Sequence, residues 1–276
     1  MKAVSNIHVH SNWCDGADAP DDIIRVALKK GFTDLGFSSH AHAPFDSSCP
    51  GIKNEDKYIN DIMRVKIENE GRITALCGVE QDCLTPIDRR KYDYTILSSH
   101  YFPEFEGRYD PVDESFKSIK ETLKCRYSGN GISMLNDYFS FLTKGVIEQK
   151  PDVVGHFDLV AKFNNKSLLF DERSKEYINL SLIYLEEILN CINGYGGMIE
   201  VNTSRIKYRE DRYPYAGTPY MLKVLKDKKA RVIITTDCHS ADTLDYMYPE
   251  TVQLLKENGL SSMSILKNGK FVDVNI

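Results

Sequence analysis

The chain has 276 residues, of which 42% are hydrophobic and 27% charged, with a formal net charge of −5. A chain of this length and composition can bury a substantial core, either as one large α/β barrel or as two smaller domains. It has no long basic block, so nucleic-acid binding through general positive charge is not expected.

Neither a membrane span nor a signal peptide is predicted. No apolar run approaches the roughly 18–20 residues that a bilayer-spanning helix needs. The first ten residues carry one lysine and no apolar segment, which is not the pattern of a signal peptide. The seven cysteines are scattered and form no C-x-x-C pair, which favours reduced thiols over disulfides. We therefore expect a cytoplasmic protein.

Strand-like and helix-like segments alternate along the chain. The predicted strands are Asn6–His10, Leu35–Ser39, Ile73–Val79, Tyr94–Ser98, Val153–Gly155, Met198–Val201 and Arg231–Thr235, with short final strands at Met263–Leu266 and Phe271–Val274. The predicted helices are Pro20–Lys30, Glu55–Asn69, Ile132–Ile147, Ser174–Ile192, Thr218–Lys228 and Glu250–Asn258. The segment Tyr101–Gly131 is irregular, with a partial helical pattern near Glu114–Leu123. About seven βα units without a compositional break predict a single domain over residues 1–276, folded as a closed or nearly closed β/α barrel.

The histidines of this chain share one placement. All seven lie at or just after the ends of strand-like segments, at His8, His10, His40, His42, His100, His156 and His239. The carboxylates Asp15, Glu80 and Asp237 follow the same rule. In a β/α barrel the carboxyl ends of the strands surround one shared mouth. Histidine and carboxylate are the ligands of divalent transition metals, so the sequence predicts a metal site at that mouth.

Two pairs of candidate ligands have the spacing of a strand face. In His8-x-His10 and Asp237-x-His239 the side chains are two residues apart, which turns both members of a pair to one side of a strand. Each pair can therefore reach a single ion.

The other candidates each have a second explanation. Asp15 could be a turn residue, and His42 a loop residue at the rim. His100 and His156 could be hydrogen-bonded core histidines. Glu80 directly follows an apolar run, where an unpaired carboxylate is costly to bury and a metal would remove the cost. A single tetrahedral ion needs only about four ligands, so the larger set indicates two or three metals.

The order of these residues resembles the polymerase-and-histidinol-phosphatase (PHP) superfamily. The matching set is His8-x-His10, Asp15, His40, Glu80, His100, His156 and Asp237-x-His239. The segments GVEQD, SSHYF, VVGHFDLVAKF and EVNTS resemble its histidinol-phosphatase branch. The similarity covers most of the chain.

This resemblance implies a distorted (β/α)7 TIM-like barrel that holds two or three divalent ions (Zn, Fe or Mn). The implied ligands are His8, His10, Glu80 and Asp237 for the first ion, Glu80, His100 and His156 for the second, and Asp15, His40 and His239 for the third. Glu80 would bridge the first two ions. The implied reaction is hydrolysis of L-histidinol phosphate to L-histidinol and phosphate, a step of histidine biosynthesis.

The resemblance also suggests how the substrate is bound and cleaved. Lys162 and Lys207 stand where the branch usually carries arginines, and Arg205 lies beside the second of them. These three cations are the expected phosphate ligands. A metal-bridging hydroxide would attack phosphorus in line. Asp15, His42 or a metal-bound water could protonate the leaving alkoxide, so Asp15, Glu80 and His42 are the candidate catalytic residues.

Two other functions remain open at this point. Another PHP phosphoesterase could act on nucleotides, phosphotyrosine or nucleic-acid ends. Tyr208, Tyr213 and Tyr215 lie among basic residues and could stack bases, although a solvated charged loop explains them equally well. A non-catalytic metal-binding barrel should have lost ligands, whereas this chain keeps the whole set. We expect a small phosphorylated substrate rather than a nucleic acid.

Overall fold

The computed structural model describes residues 1–49, 51–164 and 169–276. Its strands are β1 (Ser5–Asn6), β2 (Asp34–Phe37), β3 (Thr74–Asp82), β4 (Tyr94–Ser98), β5 (Val153–Val154), β6 (Met198–Asn202), β7 (Val232–Thr235), β8 (Ser262–Lys267) and β9 (Lys270–Asn275). Its α-helices are α1 (Pro20–Lys30), α2 (Glu55–Glu68), α3 (Phe116–Tyr127), α4 (Gly131–Gln149), α5 (Lys175–Asn193), α6 (Pro219–Asp227) and α7 (Tyr248–Glu257).

The strands follow one another around the sheet in chain order. Each of β1 to β7 pairs in parallel with the next strand, and β9 returns antiparallel to β8. The β3–β4 connection has no α-helix, whereas the β4–β5 connection has two, α3 and α4. This alternation of parallel strands and helices confirms the predicted distorted β/α barrel.

The barrel closes differently at its two ends. The backbone N–H of His10 donates to the carbonyl of Cys238 at 2.9 Å, and that of Cys238 to the carbonyl of His8 at 3.2 Å. The chain after β1 therefore pairs with the chain after β7. At the opposite end β8 lies beside β1, where the Leu266 N–H donates to Ser5 Oγ at 3.2 Å. The carboxyl-end mouth is consequently bounded by seven strands, and β8 widens only the amino end.

Tyr94 fills the amino end of the barrel. Its ring is buried, and its hydroxyl donates to the carbonyls of Ile7 and Phe37. Gly36 and Gly78 make room for it, because a Cβ at either position would lie within 2.4 Å of the Tyr94 side chain. The interior is thus packed with side chains at this end, and the candidate ligands lie at the other end of the strands.

The irregular segment after β4 folds into a short ribbon. Tyr101 pairs with Pro111 and Phe105 with Arg108, both antiparallel. Glu106 and Gly107 form the turn, with φ values of 50° and 77°. The ribbon leads into α3, which lies where the partial helical pattern predicts a helix. One strand of the ribbon borders the barrel mouth.

Neither a membrane span nor a disulfide is found in the part of the chain that the structure describes. No helix there combines the length and apolar character needed to cross a bilayer. All seven cysteines lie among the described residues and are free.

Candidate metal centre

The nine candidate ligands meet at the carboxyl end of the barrel. His8 and His10 follow β1, and their Nε2 atoms lie 3.2 and 3.4 Å from Glu80 Oε2. Asp237 follows β7, with Oδ1 at 3.0 Å from His10 Nε2 and 3.5 Å from His8 Nε2. Its backbone φ of 45° is left-handed, an unusual conformation for a side-chain-bearing residue and one found often at functional sites. The side chains implied for the first ion therefore face one another.

The second group forms around the other carboxylate oxygen of Glu80. His156 Nε2 lies 2.9 Å from Glu80 Oε1, and His100 Nε2 lies 3.4 Å from it. Ser98 Oγ donates to the same oxygen at 2.6 Å. Because its two oxygens face different sets of histidines, Glu80 has the geometry that a bridging ligand requires.

The third group is the most accessible. Asp15 Oδ2 lies 3.1 Å from His239 Nε2 and 3.7 Å from His40 Nε2. His40 also faces inward, with Nδ1 at 3.0 Å from Glu80 Oε2. The ligand atoms of His10 join this group within 4.8 Å. The three predicted sets thus form one continuous cluster, in which His10, His40 and Glu80 contact more than one set.

Buried atoms without partners indicate that the cluster is built for cations. His8 Nε2 and His10 Nε2 lie 3.2 and 3.4 Å from Glu80 Oε2, yet none of these three buried atoms makes a hydrogen bond of acceptable geometry among the described residues, although leaving buried polar atoms unpaired is costly. Burial raises the pKa of Glu80, but the charges of His8, His100 and His40 outweigh it and hold that pKa well below its usual range. An ionised carboxylate facing unpaired ring nitrogens fits divalent metal binding.

Glu200 is a member of the site that the sequence prediction missed. It is fully buried on β6, and its Oε1 lies 2.6 Å from His8 Nδ1. Its Oε2 accepts the backbone N–H of His156 at 2.7 Å and the side-chain amide of Asn202 at 3.0 Å. A carboxylate that accepts the distal N–H of a ligand histidine fixes its tautomer and directs the other nitrogen to the metal. The sequence did contain a feature that could have identified Glu200, since this carboxylate interrupts an apolar strand as Glu80 does.

Asp82 has a similar position behind His100. Its Oδ2 accepts the His100 backbone N–H at 2.6 Å and lies 3.6 Å from the ring Nδ1. Asp82 is buried and lies two residues after Glu80 on β3. One strand therefore supplies both a central ligand and a residue that orients another ligand.

A cleft with two connected lobes opens above the cluster. The larger lobe has a volume of about 730 Å³ and the smaller about 370 Å³. Both lobes are lined by Asp15, His40, His100, Asp113 and Lys162. The metal ligands therefore form part of the cleft wall.

Lys162 and Lys207 both line the smaller lobe, as expected of phosphate ligands. Lys162 Nζ lies 2.8 Å from Asp113 Oδ2. Burial lowers the pKa of Lys162, but Asp113 outweighs this effect and raises it overall, so the amine stays charged. Lys207 Nζ lies 5.1 Å from the centre of the Tyr246 ring.

The structure corrects two of the predicted site residues. Arg205 is 0% exposed, and its guanidinium is paired with Glu172 and Asp211 instead of lining the cleft. It is therefore not a phosphate ligand, because its donors are already bound inside the protein. His42 lies in a loop with its side chain exposed, outside the residues that line either lobe. Its position excludes it from protonating a leaving group in this conformation.

Removing divalent metal is expected to lower the melting temperature. A ligand present at 100 times its Kd stabilises the folded state by about 2.7 kcal/mol per site, which corresponds to a shift of roughly 5–10 °C in a chain of this size. Scanning calorimetry after chelation, with graded return of Mn²⁺ or Zn²⁺, measures the shift. Potassium at equal ionic strength is the control, and a melting temperature independent of the divalent ions would argue against the cluster as a metal site.

Comparisons with known proteins agree with this geometry. Histidinol-phosphatase of Bacillus subtilis is 27% identical over 269 residues, which cover 87% of this chain and 95% of the relative. A crystal structure from Listeria monocytogenes has a TM-score of 0.73 at 17% identity and covers 89% of this chain and 99% of its own. Histidinol phosphate phosphatase of Lactococcus lactis, solved with zinc, L-histidinol and phosphate, has a TM-score of 0.70 at 18% identity and covers 97% and 98% of the two chains. At these identities the two structures establish the fold alone.

The family itself is shown by a direct match. The PHP domain model matches residues 6–204, which is well over half of the chain and includes seven of the nine candidate ligands, from His8 to His156, together with Glu200. The predicted resemblance is thereby confirmed, and the chain belongs to the PHP domain family.

Proposed function

We propose that this chain is a cytoplasmic metal-dependent phosphomonoesterase that hydrolyses L-histidinol phosphate to L-histidinol and phosphate. The observation that carries the proposal is the ligand cluster around Glu80 at the floor of a cleft with two lysines in its wall. Ligands drawn from residue 8 to residue 239 support one functional domain over residues 1–276. The name of the Bacillus subtilis relative points to the same reaction.

The proposed cofactors are two or three divalent ions, Zn, Fe or Mn. Their chemistry, when they are bound, is to lower the pKa of a coordinated water and to neutralise phosphoryl oxygens. The donor set is entirely nitrogen and oxygen, which suits all three metals.

The chain's own residues supply the rest of the proposed mechanism. Lys162 and Lys207 attract the phosphate into the smaller lobe as point charges. Glu80 and the buried histidines would hold the metal ions at the bottom of the cleft. Asp15 has its side chain 35% exposed. Burial raises its pKa, but the hydrogen bond with His239 and the charge of His40 outweigh this effect and hold the pKa well below its usual range, so Asp15 is ionised. Since His42 does not line the cleft, the leaving alkoxide would take its proton from a water of the site, which Asp15 can orient.

The larger lobe fits the cationic part of histidinol phosphate. Its wall carries a row of carboxylates and three aromatic rings, from Asp46, Asp110, Asp113, Glu114, Phe45, Tyr101 and Tyr109. Carboxylates and aromatic faces attract ammonium and imidazolium groups. Carboxylates outnumber the cations Arg108 and Lys162 in this wall, so its charge disfavours nucleotides and nucleic acids, whose binding depends on neutralising phosphate charge. We therefore favour the amine-bearing substrate over the nucleotide and nucleic-acid alternatives.

A substrate panel tests this choice. The full chain loaded with Mn²⁺, Zn²⁺ or Fe²⁺ is assayed with L-histidinol phosphate, adenosine monophosphate, phosphotyrosine and an oligonucleotide. We expect kcat/KM for histidinol phosphate to exceed the others by about 100-fold or more, because the other substrates lack an imidazolium group to match the carboxylates of the larger lobe. Equal rates on every substrate would refute the assignment while leaving a general phosphoesterase.

A further inference from the structure

The two lysines of the cleft lie on segments that are joined by a partly buried ionic cluster of Arg205, Arg209, Glu172 and Asp211. We propose that Arg205 and Arg209 are positioning residues, which hold Lys162 and Lys207 where a phosphate can bind both. The proposal rests on the proposed function, since it concerns the anion site of that reaction. Neither arginine lines the cleft.

Arg205 lies near the start of the loop 203–217, and its side chain contacts residues near the end of that loop. Its guanidinium is fully buried and donates to the carbonyl of Tyr213 at 3.3 Å. The same group lies 3.1 Å from Glu172 Oε2 and 3.5 Å from Asp211 Oδ2. Lys207 lies in the chain between Arg205 and its partners Asp211 and Tyr213. The contacts of the Arg205 guanidinium therefore constrain the backbone that carries Lys207.

Arg209 connects that loop to the segment that carries Lys162. One guanidinium nitrogen donates to the carbonyl of Ala161 at 3.1 Å. The other lies 2.8 Å from Glu172 Oε1 and 3.0 Å from Asp211 Oδ2. Because Ala161 directly precedes Lys162, a single side chain ties the two lysine-bearing segments together. Glu172 forms ion pairs with both Arg205 and Arg209 and thereby connects the two arginines.

The identity of the phosphate ligands explains why such support matters here. A lysine is a point charge on a flexible stem, whereas arginine presents a rigid fork that fixes its own geometry on phosphate. Two lysines therefore depend on their backbone for placement. Buried ion pairs add little net stability, because desolvation offsets their attraction. A role in placing the lysines accounts for the cluster better than a role in stability alone.

The test replaces Arg209 with methionine in the Mn²⁺-loaded full chain. We expect the competitive inhibition constant of inorganic phosphate and the KM for substrate to rise about 10-fold, since a small displacement of a binding group has effects of this size. The value of kcat and the metal content should stay near those of the parent. Arg231→Met is the matched control, because Arg231 pairs with Asp273 before β7, at the opposite end of the barrel.

A triple substitution, compared with the double lysine variant, separates positioning from general destabilisation. If Arg209 acts through the lysines, adding Arg209→Met to Lys162→Met with Lys207→Met should weaken phosphate binding little further, because coupled residues are non-additive. Glu172→Gln, which keeps the side-chain shape, should reproduce the effect of Arg209→Met. Unchanged phosphate affinity in Arg209→Met, or full additivity, would overturn the proposal. Calorimetric titration with phosphate needs no turnover, so it remains decisive even if histidinol phosphate is not the substrate.

Discussion

A Glu80→Gln variant is expected to lose phosphomonoesterase activity and bound metal together. The two carboxylate oxygens of Glu80 face different histidines, with Oε2 at 3.2 Å from His8 Nε2 and Oε1 at 2.9 Å from His156 Nε2. Glutamine keeps the shape but replaces a charged oxygen with an amide nitrogen, which cannot ligate a cation. Loss of metal-based charge stabilisation, worth several kcal/mol, predicts a fall in kcat/KM of at least about a thousandfold.

The measurements are elemental analysis of the purified variant and the rate on histidinol phosphate. Glu148→Gln is the matched control, because Glu148 is exposed on α4, far from the cluster, and pairs with Lys144 across one helical turn. That control should keep both properties. Full metal occupancy with parent-like turnover in Glu80→Gln would remove Glu80 from the centre of the mechanism.

The convergence of the ligands could be predicted without any knowledge of side-chain packing. Parallel strands of a barrel end at one mouth, so residues at strand ends must meet there whatever the detailed path of the helices. Only the approximate ends of the strands are needed for this prediction, so an error of a few residues in a strand boundary does not change it. β1, for example, ends at Asn6 instead of His10, yet His8 and His10 still reach the cluster because Val9 pairs with Cys238.

Residues in loops could not be placed by the same reasoning. Arg205 and Lys207 are two positions apart in a short 3₁₀ segment, and the sequence does not say which one turns inward. The answer depends on Glu172 and Asp211, whose approach is set by tertiary packing. The prediction for His42 was wrong for a related reason. His42 lies in the loop after His40, where the regular geometry of a strand no longer sets the direction of a side chain.

Glu200 could have been predicted from the sequence but was not. A carboxylate inside a buried strand needs compensation, and here His8 together with the backbone N–H of His156 supplies it. Burial raises the pKa of Glu200, but the charge of His8 outweighs it and lowers the pKa overall. An ionised Glu200 can therefore accept a hydrogen bond from His8 Nδ1–H, which directs Nε2 to a metal once His8 is neutral.

A Glu200→Gln variant is accordingly expected to bind metal about 10–100-fold more weakly, the range typical of residues that orient metal ligands. Activity should fall at limiting Mn²⁺ and return as the metal concentration rises, because the ligands themselves remain. Metal titration followed by calorimetry and by turnover measures both effects, with Glu187→Gln on the exposed face of α5 as the control. Melting of the metal-free variant at the parent temperature would separate the loss of affinity from a loss of folding. Parent-like metal affinity would mean that Glu200 compensates the buried histidines without directing them, whereas recovery at high metal would identify it as the residue that sets His8 for its ion.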